Sequence, residues 1–219
     1  NIHMEVIRAA PTIKNYVGTN FKKDFGDRLG VDVYVDNDVN CALLGEQWLG
    51  GAKGLDEVFC MALGTGIGGA YYLNSLPFGS NFGVGEIGQS VYDVETDTTY
   101  EQRASTIALD RKIKAEMYDG LSVIEFFDLC KREDTNALKI LDEWLYEVAR
   151  GIVNLLCILD PKYIIIGGAV SAQGDYLLNK LEAKVRELHP IKINKTKFLA
   201  ASLGNDAALY LSLIHISEP

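Results

Sequence analysis

The spacing of apolar and polar positions changes several times along the chain, and each change marks a predicted element. Apolar or alternating runs predict strands at residues 31–35, 58–63, 70–73, 163–166 and 198–201. Apolar residues at helical spacing predict helices at residues 16–29, 42–48, 105–117, 123–132, 136–159 and 175–188, and residues 205–210 open another. Strands and helices mixed in this order are typical of an α/β fold.

The longest predicted helix carries one continuous apolar stripe, which predicts that it faces the core. Its members are Leu141, Trp144, Leu145, Val148, Ile152, Leu155, Leu156 and Leu159. Glycine is distributed just as unevenly, since eleven of the 21 glycines lie between Gly50 and Gly88. Glycine is favoured where the backbone turns tightly or approaches a ligand, so we expect a functional site in that stretch.

The sequence LGTGIGGA places Gly64, Gly66 and Gly69 at the spacing of the dinucleotide-binding fingerprint. That fingerprint requires a helix directly after it, whereas the residues that follow read as a strand, so a Rossmann fold is disfavoured. A hairpin of Gly and Thr can still hold a phosphate through backbone N–H groups and the Thr65 hydroxyl. A tight turn without any ligand is the alternative.

A second glycine pair, Gly167 and Gly168, follows a predicted buried strand and precedes a helix. In an open α/β sheet this position lies at the carboxyl end of a strand, where ligands bind. Close packing of strand and helix explains such a pair equally well.

Acidic and amide side chains form two candidate groups. Asp36, Asn37 and Asp38 follow the strand predicted at residues 31–35 and start a helix, so either Asn37 or Asp38 could be a plain N-cap. The functional interpretation is a carboxylate at a strand end that accepts a proton from a substrate hydroxyl.

In the second group, Glu86 and Gln89 lie three residues apart and therefore on one face of a helical turn. The glycines around them would let a small polar ligand approach. Glu101, in YEQRAS, is ambiguous by itself, because most such glutamates are solvated surface charges.

Charge and composition exclude several classes of protein. The chain has 21 Lys and Arg against 30 Asp and Glu, a net charge of −9, which argues against a nucleic-acid surface within these residues. No apolar stretch approaches the roughly 20 residues that a membrane span needs, and no export signal opens the chain. The four cysteines are far apart in apolar surroundings, which predicts four buried, reduced thiols and a cytoplasmic protein. No Cys/His cluster has the spacing of a zinc site.

Both ends of the chain suggest a fragment. It begins at Asn1 rather than Met, so we expect residues upstream of it. Residues 211–219, LSLIHISEP, resemble the translation of a sequencing adapter and are left out of the fold prediction, a real edge strand being the alternative.

Six motifs in order resemble the ROK family of sugar kinases and related repressors. They are VDND, LGTGIGGA, GVGEIGQ, YEQRAS, IIIGGAVS and LGNDAALY, spread over residues 35–210. The resemblance implies an actin/hexokinase-like (ribonuclease H-like) fold of two α/β lobes, with ATP and sugar in the cleft. Residues 1–56 would be a remnant of the N-terminal lobe with the sugar-site strand, and residues 57–210 the C-terminal lobe with the nucleotide-binding loops.

The resemblance also implies roles for individual residues. Asp38 would be the catalytic base toward the sugar hydroxyl. The sugar hydroxyls would be held by Asn37, Glu86, Gln89 and Glu101. The nucleotide would be bound by Gly64, Thr65, Gly66, Gly68, Gly167, Gly168 and Ala169. The expected cofactors are ATP and Mg²⁺, and the expected assembly is a homodimer.

Three departures from the family pattern change the expectation. The D-x-G-G-T segment that supplies the other phosphate loop and a Mg²⁺ contact is absent, so we expect this chain by itself to be inactive. Gln89 replaces the histidine of G-E-[IL]-G-H, and residues 90–99 contain no Cys, so we expect no zinc and assign no metal ligand.

The family's non-zinc branch includes kinases of glucose and β-glucosides. The implied reaction is therefore ATP-dependent phosphorylation of a hexose or β-glucoside hydroxyl, the 6-hydroxyl. The alternative is a sugar-responsive transcriptional regulator whose DNA-binding domain lies upstream of these residues.

Overall fold

The computed structural model describes residues 17–77, 79–80, 83–192 and 194–210. Its strands are β1 (Val58–Leu63), β2 (Ile67–Tyr72), β3 (Val91–Asp93), β4 (Thr98–Thr99), β5 (Tyr163–Gly167) and β6 (Lys197–Ala200). Its helices are α1 (Phe21–Leu29), α2 (Asp38–Leu49), α3 (Tyr100–Ala104), α4 (Thr106–Glu116), α5 (Val123–Lys131), α6 (Thr135–Leu159) and α7 (Asp175–Leu188). Short 3₁₀ turns lie at Ile87–Gln89, Ala169–Gln173 and Gly204–Asp206.

Four strands form one sheet in the order β2–β1–β5–β6. β1 and β2 are an antiparallel hairpin, whereas β1, β5 and β6 run parallel to one another. The parallel pairing puts the carboxyl ends of β1 and β5 at the same edge of the sheet, with Ala62 opposite Gly167. That edge is where ligands of open α/β sheets bind.

The sheet is covered on both faces, because successive side chains of β1 alternate between two apolar layers. Phe59 and Met61 belong to the larger layer, which also contains residues of α3, α4, α5, α6 and α7. Cys60 belongs to the smaller layer, to which α2 contributes Val39 and Leu43. Helix α2 therefore packs on the sheet, although it lies within residues 1–56. The division of the chain into two lobes after residue 56 stays a prediction.

Helix α6 is the centre of the larger layer and contacts α3, α4, α5 and α7. The stripe predicted for it is buried at Leu141, Trp144, Leu145, Val148, Ile152, Leu155 and Leu156, and Leu159 is partly buried. The Asp134 side chain caps its start, and Asp160 ends it in the left-handed conformation. Despite the length of α6, none of the described helices is both long and apolar enough to cross a bilayer.

Most predicted elements are confirmed. β1 and α7 have the predicted bounds, α5, α6 and β5 differ from prediction by one residue at one end, and α4 and β6 by one residue at both ends. Helix α1 begins only at Phe21 and ends at Gly30, as predicted, in a left-handed cap with φ 68°. Residues 1–16 and 211–219, including the predicted adapter segment, lie outside the described residues.

Three predictions are wrong in part or in full. Residues 31–35 form no strand, because no described strand lies beside them to share hydrogen bonds. Strand β2 begins at Ile67 rather than at residue 70, since two glycines with low strand propensity conceal its start. Of the four cysteines predicted to be buried, Cys60 and Cys130 are buried, Cys41 is partly buried and Cys157 is exposed.

Candidate functional site

The glycine-rich turn between β1 and β2 is the first part of the site. The N–H of Gly64 donates to the carbonyl of Gly66 at 3.0 Å and closes the turn, and Thr65 is exposed at its tip. Among the described residues, nothing accepts a hydrogen bond from the N–H of Thr65 or Gly66. A Cβ placed on Gly64 would meet nothing closer than 3.9 Å. The turn therefore has two backbone donors without a partner among the described residues, and an exposed threonine at its tip.

Thr106, a residue that the sequence prediction missed, holds this turn in place. Its N–H and its Oγ1 both donate to the carbonyl of Gly64, at 2.9 and 2.6 Å. Thr106 is the first residue of α4, and Ser105 caps that helix by accepting from Ala108 N–H. The Ser-Thr pair after YEQRA was the available signal, since such residues commonly start helices.

The start of α2 is the second part. Asn37 is its N-cap, because Asn37 Oδ1 accepts from the N–H groups of Val39 and Asn40 at 2.9 and 3.4 Å. Asp38 is therefore the first helical residue; it is exposed, and its Oδ1 accepts from the N–H of Val39 at 2.9 Å. A Cβ on Gly68 would come within 2.6 Å of Val39 Cγ2, so α2 touches the backbone of β2 there. This contact brings Asp38 beside the strand that leaves the glycine turn.

Gln89 and Glu101 form the third part, and they are bonded to each other. Gln89 Nε2 donates to Glu101 Oε1 at 2.6 Å, and the N–H of Ile67 donates to Glu101 Oε2 at 3.2 Å. A Cβ on Gly66 would lie only 2.7 Å from Glu101 Oε2. Glycine at position 66 therefore leaves the space in which the Glu101 carboxylate sits against the turn.

The segment GVGEIGQ lies along β2. Cβ atoms on Gly85 and Gly88 would overlap the carbonyl oxygens of Gly69 and Ile67, so both glycines are required by backbone-to-backbone contact. Glu86 precedes the 3₁₀ turn, is exposed, and makes no side-chain capping bond. Glu86 and Gln89 therefore stand at the two ends of the same 3₁₀ turn.

The second glycine pair lies next to the turn. Gly168 has φ 87°, and a Cβ there would overlap the backbone of Leu63, the last residue of β1. A Cβ on Gly167 would make an ordinary contact of 3.5 Å with Ala201 Cβ, and Ala169 is exposed. Close packing therefore explains Gly168, and Ala169 is the member of this group that faces outward.

Two buried polar atoms beyond this pair had no sequence signal. Gln173 Oε1 and the Tyr176 hydroxyl lack a hydrogen-bond partner among the described residues. Buried polar groups are usually paired, so these two atoms are candidates for contact with a bound molecule. Gln173 ends the 3₁₀ turn that begins at Ala169, and Tyr176 lies in the first turn of α7.

Glu46 is a buried carboxylate that the sequence prediction also missed. It accepts hydrogen bonds from Gly51 N–H at 2.7 Å, Leu203 N–H at 2.8 Å and Ser202 Oγ at 3.1 Å. These bonds tie α2 to the loop after β6, so Glu46 fixes the helix that carries Asp38.

Two cysteines near these carboxylates have raised thiol pKa values. Burial, followed by the charges of Asp36 and Asp38, raises the pKa of Cys41 to about 11. Burial, with a smaller effect of Glu46, raises the pKa of Cys60 to about 12. Both thiols are therefore protonated and unreactive near neutral pH.

Known proteins resemble this chain over most of its length. The sequence profile of the ROK family matches residues 3–213. A glucokinase of Thermotoga maritima is 27% identical over 227 residues, 93% of this chain and 72% of that protein. A beta-glucoside kinase of Listeria monocytogenes is 28% identical over 222 residues, 97% of this chain and 74% of that protein.

A solved structure supports the same assignment. The ROK family glucokinase from Streptomyces griseus, in complex with glucose and AMPPNP, superposes with a TM-score of 0.83. It is 27% identical, and the match covers 96% of this chain and 76% of that one. The predicted actin/hexokinase-like ATPase fold is thereby confirmed. The chain belongs to the ROK family.

Proposed function

We propose that the protein transfers a phosphoryl group from ATP to a hydroxyl of a hexose or β-glucoside, the 6-hydroxyl. The observation that carries the proposal is the Val39–Gly68 contact, because it puts an exposed carboxylate beside a glycine turn with unpaired N–H groups. Relatives named glucokinase and beta-glucoside kinase support the same reaction.

Asp38 is proposed as the general base. Phosphoryl transfer requires positioning, charge stabilisation and one acceptor for the hydroxyl proton. Asp38 is exposed at the start of α2, and within the described part of the chain only its Oδ1 accepts a hydrogen bond, from Val39 N–H at 2.9 Å, so Oδ2 is proposed to accept that proton from the sugar. Asn37 Oδ1 is occupied by the cap, but its Nδ2 donates to nothing among the described residues and is available to a sugar oxygen.

The Gln89–Glu101 pair and Glu86 are proposed to bind the remaining hydroxyls. Glu101 is held rigidly by Gln89 Nε2 and Ile67 N–H, which orients its free lone pairs before a sugar arrives. Gln89 keeps Oε1 as an acceptor, and the exposed Glu86 carboxylate adds another.

The glycine turn is proposed to hold the phosphates of ATP. The unpaired N–H groups of Thr65 and Gly66 and the Thr65 hydroxyl fit phosphate oxygens, and the clear space above Gly64 admits them. Gly68 and Gly168 support this arrangement through packing, and Gly167 and Ala169 are proposed to face the adenosine. Bound ATP supplies the phosphoryl group, accompanied by Mg²⁺. No cluster of three or more His, Cys, Asp or Glu residues suited to a metal occurs in the described part of the chain, so we assign Mg²⁺ no protein ligand.

An assay of ADP release tests the proposed reaction. The protein, with any upstream residues that its gene encodes, is incubated with Mg-ATP and glucose, mannose, N-acetylglucosamine or an aryl β-glucoside, and the product is assigned by ³¹P NMR. ADP formed together with a sugar 6-phosphate supports the kinase. Sugar binding in a calorimeter without ADP formation contradicts it and favours the regulator.

A further inference from the structure

The β3–β4 hairpin connects the two residues of the Gln89–Glu101 pair. The N–H of Tyr100 donates to the carbonyl of Ser90 at 3.1 Å and closes the base of the hairpin, joining the residues that adjoin Gln89 and Glu101 in the chain. Asp93 Oδ1 accepts from Thr96 N–H at 2.9 Å and orders its tip. The separation of Gln89 and Glu101 therefore depends on how this hairpin is held.

Two arginines lie near the ring of Tyr92 in the hairpin. The Arg150 guanidinium, from α6, lies 4.4 Å from the centre of the Tyr92 ring, and that of Arg103, from α3, lies at 5.8 Å. The ring of Tyr100 packs against Tyr92 at 5.5 Å. A cation over an aromatic face is attracted by the ring's charge distribution, more strongly when it is partly buried, as here.

Glu147 of α6 holds both arginines in place. Its Oε2 lies 3.3 Å from Arg103 Nε and 3.6 Å from Arg150 Nη1. Arg103 Nη1 also reaches the hairpin tip, at 3.3 Å from Thr96 Oγ1 and 3.7 Å from Asp93 Oδ2. Tyr92, Arg103, Glu147 and Arg150 are named here the Tyr92 clamp.

The clamp attaches the hairpin to the long central helix α6. Helix α6 is 25 residues long and buries ten of them in the larger apolar layer. The Tyr100 hydroxyl donates to the carbonyl of Val148 on the same helix at 2.7 Å. The hairpin is therefore attached to α6 at Tyr92, and Tyr100 at its base is bonded to the same helix.

We propose that the Tyr92 clamp is a positioning device that holds Gln89 and Glu101 at hydrogen-bond distance and thereby sets the affinity for the sugar. This role rests on the proposed function of that pair. None of the clamp residues is placed in contact with the substrate. The clamp acts through the geometry of the pair, so its loss changes sugar binding more than the chemical step.

Three variants of the protein, with any upstream residues that its gene encodes, test the clamp. Tyr92→Leu removes the aromatic face, whereas Tyr92→Phe retains it and loses only a long hydroxyl contact of 3.4 Å to Glu147 O. Tyr146→Leu is the matched control: Tyr146 lies 5.7 Å from the same Arg150 but belongs to α6 itself, so its loss leaves the hairpin attached.

Steady-state kinetics separate positioning from a merely structural role. We expect Tyr92→Leu to raise the KM for sugar about tenfold, with kcat and the KM for ATP within about threefold of the parent. Tyr92→Phe and Tyr146→Leu should stay within about twofold in all three constants. An unchanged KM for sugar in Tyr92→Leu, a fall in kcat alone, or no rescue by phenylalanine would overturn the proposal.

Hydrogen exchange without sugar or ATP distinguishes failure of the clamp from failure of the proposed function. If the parent protein neither binds nor phosphorylates sugar, the proposed function fails. The positioning role of the Tyr92 clamp is then tested by hydrogen exchange alone. Faster exchange in residues 87–104 of Tyr92→Leu, with α7 unchanged and Tyr146→Leu like the parent, supports it. Equal exchange in all variants refutes it.

Discussion

The ring of Tyr100 lies directly on the backbone of Gly151, where any Cβ would overlap it. The Tyr100 hydroxyl is fixed by Val148 O, one turn earlier on the same helix, so the ring cannot move aside without losing a buried hydrogen bond. Tyr100 precedes Glu101 in the chain, and this contact therefore sets where α3 places the Glu101 carboxylate.

The Gly151→Ala variant tests that contact. In an ordinary helix the substitution stabilises by about 0.5–1 kcal/mol, but overpacking of a filled core costs about 1–3 kcal/mol. We expect net destabilisation of about 1–2 kcal/mol in urea unfolding, because the overlap with Tyr100 exceeds the gain in helix propensity. Asn154→Ala, at an exposed position of the same helix, is the control and should not destabilise. A Gly151→Ala protein as stable as the parent would show that the ring has room to move.

Gln89 is expected to influence which sugars are accepted. A glutamine does not titrate, and with Nε2 bound to Glu101 it offers Oε1 to a hydroxyl on the anomeric side of the sugar. We predict that the protein accepts cellobiose-like and aryl β-glucosides as well as glucose. Activity on the β-glucosides should fall selectively in Gln89→Ala.

The control for this panel is Gln47→Ala. That substitution removes a comparable side-chain hydrogen bond, which Gln47 Nε2 donates to Leu55 O at 3.2 Å near the C-terminal end of α2. Rejection of every 1-substituted sugar by the parent, or equal activity ratios in the parent and Gln89→Ala, would contradict the assignment.

Zinc is expected to be absent from the purified protein. Residues 90–99 contain no Cys or His, and the β3–β4 hairpin is held instead by Asp93, Thr96 and the Tyr92 clamp. Elemental analysis after chelation and dialysis should find no stoichiometric metal. One zinc retained per chain would refute the prediction.

The four thiols should differ in reactivity. Burial is the main cause that raises the pKa of Cys41 and Cys130 to about 11 and that of Cys60 to about 12, whereas Cys157 is exposed. Iodoacetamide at pH 8 should therefore label Cys157 first, because the thiolate is the reactive form. Peptide mass spectrometry measures the order, and prior labelling of Cys41 or Cys60 in the folded protein would contradict it.

The raised pKa values of the buried thiols also predict that the folded protein loses stability at high pH. Unfolded thiols lose their protons near pH 8.5, so above that pH the folded state binds more protons than the unfolded state. Stability should fall as pH rises from about 8.5 toward 11. Replacing Cys60 with Ala should weaken this dependence, which unfolding curves at several pH values measure.

Much of the fold was predictable from local pattern. β1 is a continuous apolar run and α7 a regular amphipathic helix, and both were predicted with their observed bounds. The segment 31–35 alternates as a strand does, but pairing depends on a neighbour that local pattern cannot reveal. Helix α3 was missed because five residues are too few for a helical period to be visible.

Candidate site residues could be named from the sequence, but their contacts could not, and their roles stay predictions. The sequence left open whether Asn37 or Asp38 caps α2, and only the backbone geometry identifies Asn37. The Gln89–Glu101 bond joins residues twelve apart through a hairpin, and Glu46 bonds Ser202 and Leu203 across most of the chain. Such contacts depend on the tertiary fold, so no local spacing indicates them.

The most direct test of the proposed mechanism is the turnover of Asp38→Asn beside that of Asp36→Asn, with sugar affinity measured for both. Because Asn37 caps α2, the Asp38 variant should keep its helix, and Asp36 is a nearby carboxylate bonded to Asn37 N–H and Asn40 Nδ2. We predict that kcat falls by about 10²–10⁴ in Asp38→Asn, the usual effect of removing a general base, while the sugar Kd stays within about threefold. Asp36→Asn should keep kcat within about threefold of the parent. A fall of less than about fivefold in Asp38→Asn, or an equal fall in both variants, would contradict the role of Asp38 as the base.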